Sequence, residues 1–144
     1  MTQAVQIREG DWEEFGEAAG DIRRRVFIDE QAVPPEEEWD GRDAECRHFL
    51  ALDDTGKALG TARLLPDGHI GRVAVLQDAR GLGVGLALMK AAIASAQRRG
   101  DTSVALAAQI QALPFYERLG FQAHGDTFLD AGIPHRNMTL FLDD

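Results

Sequence analysis

The run Arg80-Gly81-Leu82-Gly83-Val84-Gly85 brings together residue types that can hold an anion. It follows an alternating apolar segment, Ile70 to Leu76, and opens a helical pattern that continues to about Arg99. Glycines let the backbone turn tightly, and the unpaired N–H groups of a helix start point along the helix dipole toward bound negative charge. A strand, a glycine turn and a helix N-terminus in that order predict a phosphate or pyrophosphate site carried by a cofactor. A plain structural loop is the competing reading. A nucleotide P-loop would end in Lys-Ser/Thr, whereas Val84-Gly85 stand there.

The elements that must position this run follow from periodicity and turn chemistry. Ala4 to Arg8 reads as a short first strand, and Asp11 as the N-cap of a helix extending through Gln31 with a break near Gly20. Phe15, Ile22, Val26 and Phe27 supply the buried face of that helix, with Arg23, Arg24 and Arg25 on the other side. Pro34-Pro35 stops it. Arg47 to Asp53 and Ala58 to Leu65 form a predicted hairpin, followed by the strand Ile70 to Leu76. From Leu82 the period changes: Leu82, Leu86, Met89, Ile93 and Ala96 recur at helical spacing, and Gly100 is placed to close the helix. Ser103 to Ala108 is an apolar strand expected in a sheet interior. Gln111 to Leu119 is a short helix, tolerating Pro114 only in its first turn, and Phe121 to Phe128 and Arg136 to Phe141 are closing strands. This order predicts one α/β domain over residues 1–144, a mixed central sheet with helices on both faces. A dinucleotide fold would open with the glycine loop rather than reach it after an antiparallel meander.

Composition narrows the partners. With 24 acidic and 15 basic side chains the formal net charge is -9, which disfavours nonspecific nucleic-acid binding. The single cysteine, Cys46, excludes an intrachain disulfide and a cysteine-based zinc cluster, and its apolar surroundings place it in the core. No metal site is expected. No basic stretch followed by an apolar run marks the N-terminus, and no apolar segment is long enough to span a membrane, so a cytoplasmic location without membrane attachment is the expectation. From Asp29 to Glu45 the chain carries eight carboxylates and one arginine. They read either as a solvated loop or as an acidic wall drawing in a cationic substrate.

Two ordered motifs carry a resemblance. Arg80-Gly81-Leu82-Gly83-Val84-Gly85 matches the Gln/Arg-x-x-Gly-x-Gly/Ala pyrophosphate motif of the GCN5-related N-acetyltransferase superfamily, and Phe115-Tyr116-Glu117-Arg118-Leu119-Gly120-Phe121 resembles its second signature. The pieces Val26-Phe27-Ile28-Asp29-Glu30-Gln31, Asp40-Gly41, Ile70-Gly71-Arg72-Val73-Ala74-Val75, Ala108-Gln109 and Gly132-Ile133-Pro134-His135 resemble the ElaA/YjcF-type branch.

The resemblance implies an acyl-CoA N-acyltransferase fold and acetyl-CoA as cosubstrate. The pyrophosphate would rest on the amides of Arg80, Gly81, Leu82, Gly83, Val84 and Gly85. The pantetheine arm would lie along Val73, Ala74 and Val75, in a cleft splayed open against Ser103 to Ala108, with Gln109 and Phe115 beside it. Tyr116 falls at the usual general-acid position and reads alternatively as an aromatic wall. Glu30 and His48 are candidate bases, and His135 a third. The implied acceptor is an amine-bearing small molecule or peptide, and a homodimer is an allowed assembly. A catalytically silent acyl-CoA-binding regulatory module is the alternative.

Overall fold

Backbone pairing divides the chain into two sheets. In the computed structural model, which describes residues 5–142, β1 (Gln6–Gly10), β2 (Arg47–Leu52), β3 (Ala58–Leu64) and β4 (Ile70–Val75) form an antiparallel sheet in that order. A second antiparallel sheet has β7 (Ile133–Phe141) between β5 (Ser103–Gln109) and β6 (Gln122–Asp130). One parallel bridge, His69 to Ala105, joins them, with Ala105 N donating to Gly68 O at 3.1 Å. No further strand pairing links β4 to β5 among the described residues, so the two strands part beyond the bridge. The result is the expected α/β fold with a mixed sheet. Contrary to expectation, β5 is not interior: its second flank opens on the gap. Strand β1 lies two residues later than predicted, and Ala4 falls outside the described residues.

Helices cover both faces. Asp11 caps α1 (Trp12–Arg23), its Oδ1 accepting from Glu14 N at 2.8 Å. The helix passes Gly20 without the expected break and instead widens into a π-helical stretch, Arg24–Glu30, after which Gln31 N donates five residues back to Val26 O. Phe15, Ala19, Ile22 and Val26 pack on Leu50 and Ala74. A short α2 (Pro35–Glu38) follows. On the opposite face α3 (Val84–Arg99) buries Val84, Leu88, Met89, Ala92 and Ala96, and closes at Gly100 with φ 93°. The predicted stripe through Leu82 and Leu86 is displaced, and both side chains are exposed. The cause is a close crossing: a Cβ at Gly60 of β3 would stand 3.0 Å from Val84 and Leu88 side-chain carbons and from Ala74 O. Only a glycine there lets the start of α3 settle onto the sheet. The short α4 (Leu113–Arg118) has Pro114 in its first turn, as expected.

Alternation along β3 turns Ala62 toward α3 and Arg63 toward α1, where a buried ionic cluster forms. Arg23, expected on the solvent side, is 1% exposed. Its guanidinium reaches Glu38 Oε2 and Asp43 Oδ1, both at 2.6 Å, and lies between the rings of Trp12 and Trp39. Arg63 also donates to Asp43, at 3.0 Å, and pairs with Asp40 through both terminal nitrogens. Arg72 completes the cluster, 3.2 Å from Glu38. The acidic run is thus in large part the solvated segment expected, except that Glu38 and Asp43 are buried. Asp29, Glu30, Glu38, Asp40, Asp43 and Glu45 are all ion-paired, leaving Glu36 and Glu37 unpaired.

Removing one charge from a buried ion cluster strands its partners, at a cost of about 3–5 kcal/mol. Arg23→Met should therefore lower unfolding stability by that amount in urea, whereas Arg24→Met, at an exposed pair, should change it by no more than about 0.5 kcal/mol. Equal, small losses would contradict the cluster. The hydrogen bonds from Arg63 hold the Asp40 carboxyl well below its ordinary value of 3.8. A carboxylate so depressed stabilises the fold fully above its unfolded pKa and loses that contribution as pH falls through the folded one. Burial raises Glu38, which opposes this trend. Asp40→Asn should flatten the loss of stability between about pH 4 and pH 2, read from urea midpoints.

Candidate active site

Strand β4 does not run straight along the gap. Its register with β3 pairs Ala74 with Thr61 and Gly71 with Arg63, so Arg72 and Val73 together stand opposite Ala62. Such a bulge takes backbone groups out of the ladder. Arg72 adopts φ +50°, a left-handed conformation that costs a non-glycine residue about 1–2 kcal/mol. The ionic cluster offsets that cost, because the Arg72 guanidinium donates to Glu37 O and Glu38 O at 3.3 and 3.2 Å. Val73, freed from β3, lines the gap.

The gap is a cleft of about 460 Å³ whose walls include Val73, Leu106, Ala107, Gln109, Tyr116 and His135. Gln109 is fixed by neighbouring amides: its Nε2 donates to Gln31 Oε1 at 3.0 Å, and Gln111 Nε2 donates to its Oε1 at 2.6 Å. Tyr116 is half-buried, with its ring edge-on to Phe115 and Phe121 at 5.0 and 6.0 Å. Its hydroxyl has no hydrogen-bond partner among the described residues. Burial pushes the phenol up to about 12, so it stays protonated. Directly across from Gln109 in the β5–β7 ladder stands His135.

The glycine run begins α3 as expected. Gly81 and Gly83 have φ of 82° and 80°, and a Cβ built on either meets no atom within 4 Å, so their outer side is open. Gly83 is the N-cap, without a side-chain capping bond, and the first N–H groups of the helix are left for an external acceptor. A Cβ on Gly85 would point at Phe115 and Val75, 3.7 and 3.8 Å away. Gly85 thus links the turn to β4 and, through Phe115, to Tyr116. Leu82 is exposed, Val84 is core, and the Ala74 side chain packs under α1, so only backbone from Ala74 is available to the cleft edge.

Other sequence candidates lie elsewhere. The Glu30 carboxylate holds Arg80 in a two-point ion pair, both contacts at 2.7 Å, while Arg80 Nε donates to Val75 O. The bonds from Arg80 lower the pKa of Glu30, and its side chain borders a separate recess with Leu76 and Leu82. His48 is 1% exposed, bonded through Nε2 to Asp43 O and packed on Trp12 at 4.9 Å, outside the cleft lining. Burial lowers its pKa. Cys46 is buried, its Sγ donating to Arg42 O, and burial pushes its thiol up. Among the described residues, no group of three metal-ligating side chains occurs. Sequence reasoning overlooked the part played by Arg63 and Arg72. An arginine inside an otherwise apolar strand, Gly60-Thr61-Ala62-Arg63-Leu64, was the available signal.

A splayed sheet with a glycine-turn helix at one end of its gap is the architecture of acyl-CoA transferases, and comparison with known proteins agrees. Residues 11–142 match the family described as acetyltransferase (GNAT) domain, and the chain belongs to that family. It is 40% identical over 121 residues to an uncharacterized N-acetyltransferase, YjcF, of Bacillus subtilis, covering 81% of this chain and 86% of that protein. An acyl-CoA N-acyltransferase from Pseudomonas aeruginosa superposes with a TM-score of 0.82 at 32% identity, over 95% of this chain and 99% of that one. Escherichia coli ElaA does so with 0.83 at 27% identity, over 95% and 99%.

Gly85 separates folding from binding. Its φ is not left-handed and its surroundings leave ordinary contact distances, so Gly85→Ala should leave thermal stability unchanged or raise it by up to about 1 kcal/mol through helix propensity. The pyrophosphate motif itself accepts Ala at this position, so Gly85→Ala should also bind acetyl-CoA about as wild type does in a calorimetric titration. Gly85→Leu, whose side chain overruns the junction of Val75 and Phe115, should bind more weakly while remaining folded by circular dichroism. Unaltered binding by a folded Gly85→Leu would place the cofactor elsewhere.

Proposed function

We propose that this protein is an acetyl-CoA-dependent N-acetyltransferase that moves an acetyl group directly onto a primary amine. The observation carrying this reading is a chain of contacts: Gly85 abuts Val75 and Phe115, and Phe115 abuts Tyr116, so the open glycine turn is joined to the free phenol that lines the cleft. The pyrophosphate fits the open side of Gly81 and Gly83, held by backbone N–H groups of the turn and the first residues of α3. The Arg80 guanidinium is already neutralised by Glu30, so backbone dipoles rather than that side chain supply the attraction. The pantetheine arm fits along the β4 edge from Val75 to Val73. Backbone N–H at the bulge then polarises the thioester carbonyl as it gains negative charge.

Direct transfer requires a neutral amine, its alignment with the carbonyl carbon, and stabilisation of the departing thiolate. Tyr116 serves the last. Proton transfer from a phenol near 12 to a thiolate whose conjugate acid is near 8.5 is uphill by roughly 5 kcal/mol. Its role is therefore a hydrogen bond to the developing sulfur anion, with the excess proton of the adduct nitrogen closing the balance. A single hydrogen bond to a charged group is worth about 1.5–3 kcal/mol.

Calorimetry should detect specific acetyl-CoA binding, and a panel of primary amines should contain at least one that is acetylated with release of CoA thiol. Absence of binding to any short acyl-CoA would overturn the proposal, and binding without transfer across peptide and small-amine panels would favour a silent regulatory module. Tyr116→Phe should retain cofactor binding and lose turnover by roughly 10- to 100-fold, followed by thiol release. Unchanged turnover would reduce Tyr116 to a wall.

A further inference from the structure

We infer that His135 is the general base of the transfer, taking the proton from the acceptor ammonium at its Nε2. This rests on the acetyltransferase reading and assigns the one catalytic role that Tyr116 and the backbone leave open.

The His135 tautomer follows from its hydrogen bond. Nδ1 lies 2.6 Å from Ile133 O, and a carbonyl oxygen can only accept, so Nδ1 carries the hydrogen. In the neutral ring Nε2 then holds the lone pair. It has no partner among the described residues, and it is not sealed, because His135 lines the cleft and Nε2 is not among the buried unpaired atoms. The ring is held by stacking on Phe128, at 6.0 Å and 24° between planes. A fixed imidazole at the cleft wall, with its second nitrogen accessible and free of a protein partner, suits proton abstraction from an ammonium.

Competing bases are fewer than the acidic composition suggests. Glu30 is bound to Arg80, and His48 lies buried under Trp12. Glu38 is engaged by Arg23 and Arg72. Asp67 and His69 pair with each other at 3.1 Å, beside the β4–β5 bridge at Ala105. That is four residues from Gln109, about 13 Å along β5. The cross-strand neighbour of His135 is Gln109, an amide that cannot take the proton. Asp130, at the end of β6, and the unpaired Glu37 of α2 are the other carboxylates lining the cleft and serve as the controls.

The step balances as follows. The acceptor ammonium gives one proton to Nε2, forming imidazolium. The neutral amine bonds to the thioester carbon while the carbonyl π electrons move to oxygen. Collapse breaks the C–S bond, and the second proton of the adduct nitrogen offsets the one taken up by the thiolate. The imidazolium then releases its proton to water.

His135→Asn keeps a donor for Ile133 O and removes the base, while His135→Ala opens space for exogenous imidazole. Both should bind acetyl-CoA as wild type does, by calorimetry. Turnover of the best alkylamine from the panel should fall by about 10²- to 10⁴-fold. Added imidazole should restore part of the rate in His135→Ala, and the defect should shrink with hydroxylamine, whose nitrogen is already neutral at pH 7. Asp130→Asn and Glu37→Gln should each leave turnover within a few-fold. Normal turnover in both His135 variants, or an equal defect with both classes of amine and no imidazole rescue, would overturn the assignment while leaving the enzyme reading intact. Wild-type protein that binds no acyl-CoA, or transfers to no amine, would overturn both.

Discussion

The cluster of Arg23, Arg63 and Arg72 with Glu38, Asp40 and Asp43 is the constraint on which the cleft depends. Three cations and three carboxylates from α1, α2, the loop after it, β3 and β4 meet beneath the first sheet. Their mutual pairing is needed because each would otherwise carry a desolvation penalty of several kcal/mol. The cluster fixes a conformation that the chain would not choose unaided. Arg72 stays left-handed because its guanidinium is tied to the backbone of Glu37 and Glu38, and that twist lifts Val73 out of the β3 ladder. A bulge of this kind turns an ordinary sheet edge into one with backbone groups facing the gap.

Two glycine contacts tie that edge to the turn that opens α3. Gly60 lets α3 descend onto β3, which fixes the height of the glycine turn above the end of β4. Gly85 then leaves room at the junction with Phe115. Adding a side chain to the first would disturb packing on the core, whereas adding one to the second occupies the route from turn to tyrosine. The same residue type therefore serves a fold requirement in one place and a site requirement in the other.

Much of this was legible in the sequence because it depends on local rules. The glycine turn, the Asp11 cap, the β2–β3 hairpin and the Gly100 terminus each follow from residue type and short spacing, and each stands near its expected place. The failures involve contacts distant in sequence. Nothing local separates Arg23 from Arg24 or Arg25, since what buries Arg23 lies 15 and 20 residues onward, at Glu38 and Asp43. The α3 stripe was misplaced because Leu82 and Leu86 satisfy the helical period as well as Val84 and Leu88 do. Only the glycine on a strand some 25 residues earlier decides between them. His135 was visible as a histidine near a turn, but its tautomer depends on backbone geometry that spacing does not encode.

Charge raises a final question: how a chain of net charge -9 would attract the polyanionic cosubstrate proposed for it. The cation nearest the turn, Arg80, is already matched by Glu30, so a free guanidinium is not the resting attractor. Helix dipoles and oriented amides are fixed partial charges that no counterion neutralises in advance, and they act over the first turn only. Surface carboxylates elsewhere are screened within about 8–10 Å at physiological ionic strength, leaving the short-range field at α3 intact. The arrangement separates the two electrostatic tasks. Three carboxylates of the acidic run, Glu38, Asp40 and Asp43, serve the cluster that builds the bulge, and the proposed anion site is left to backbone whose charge does not depend on pH.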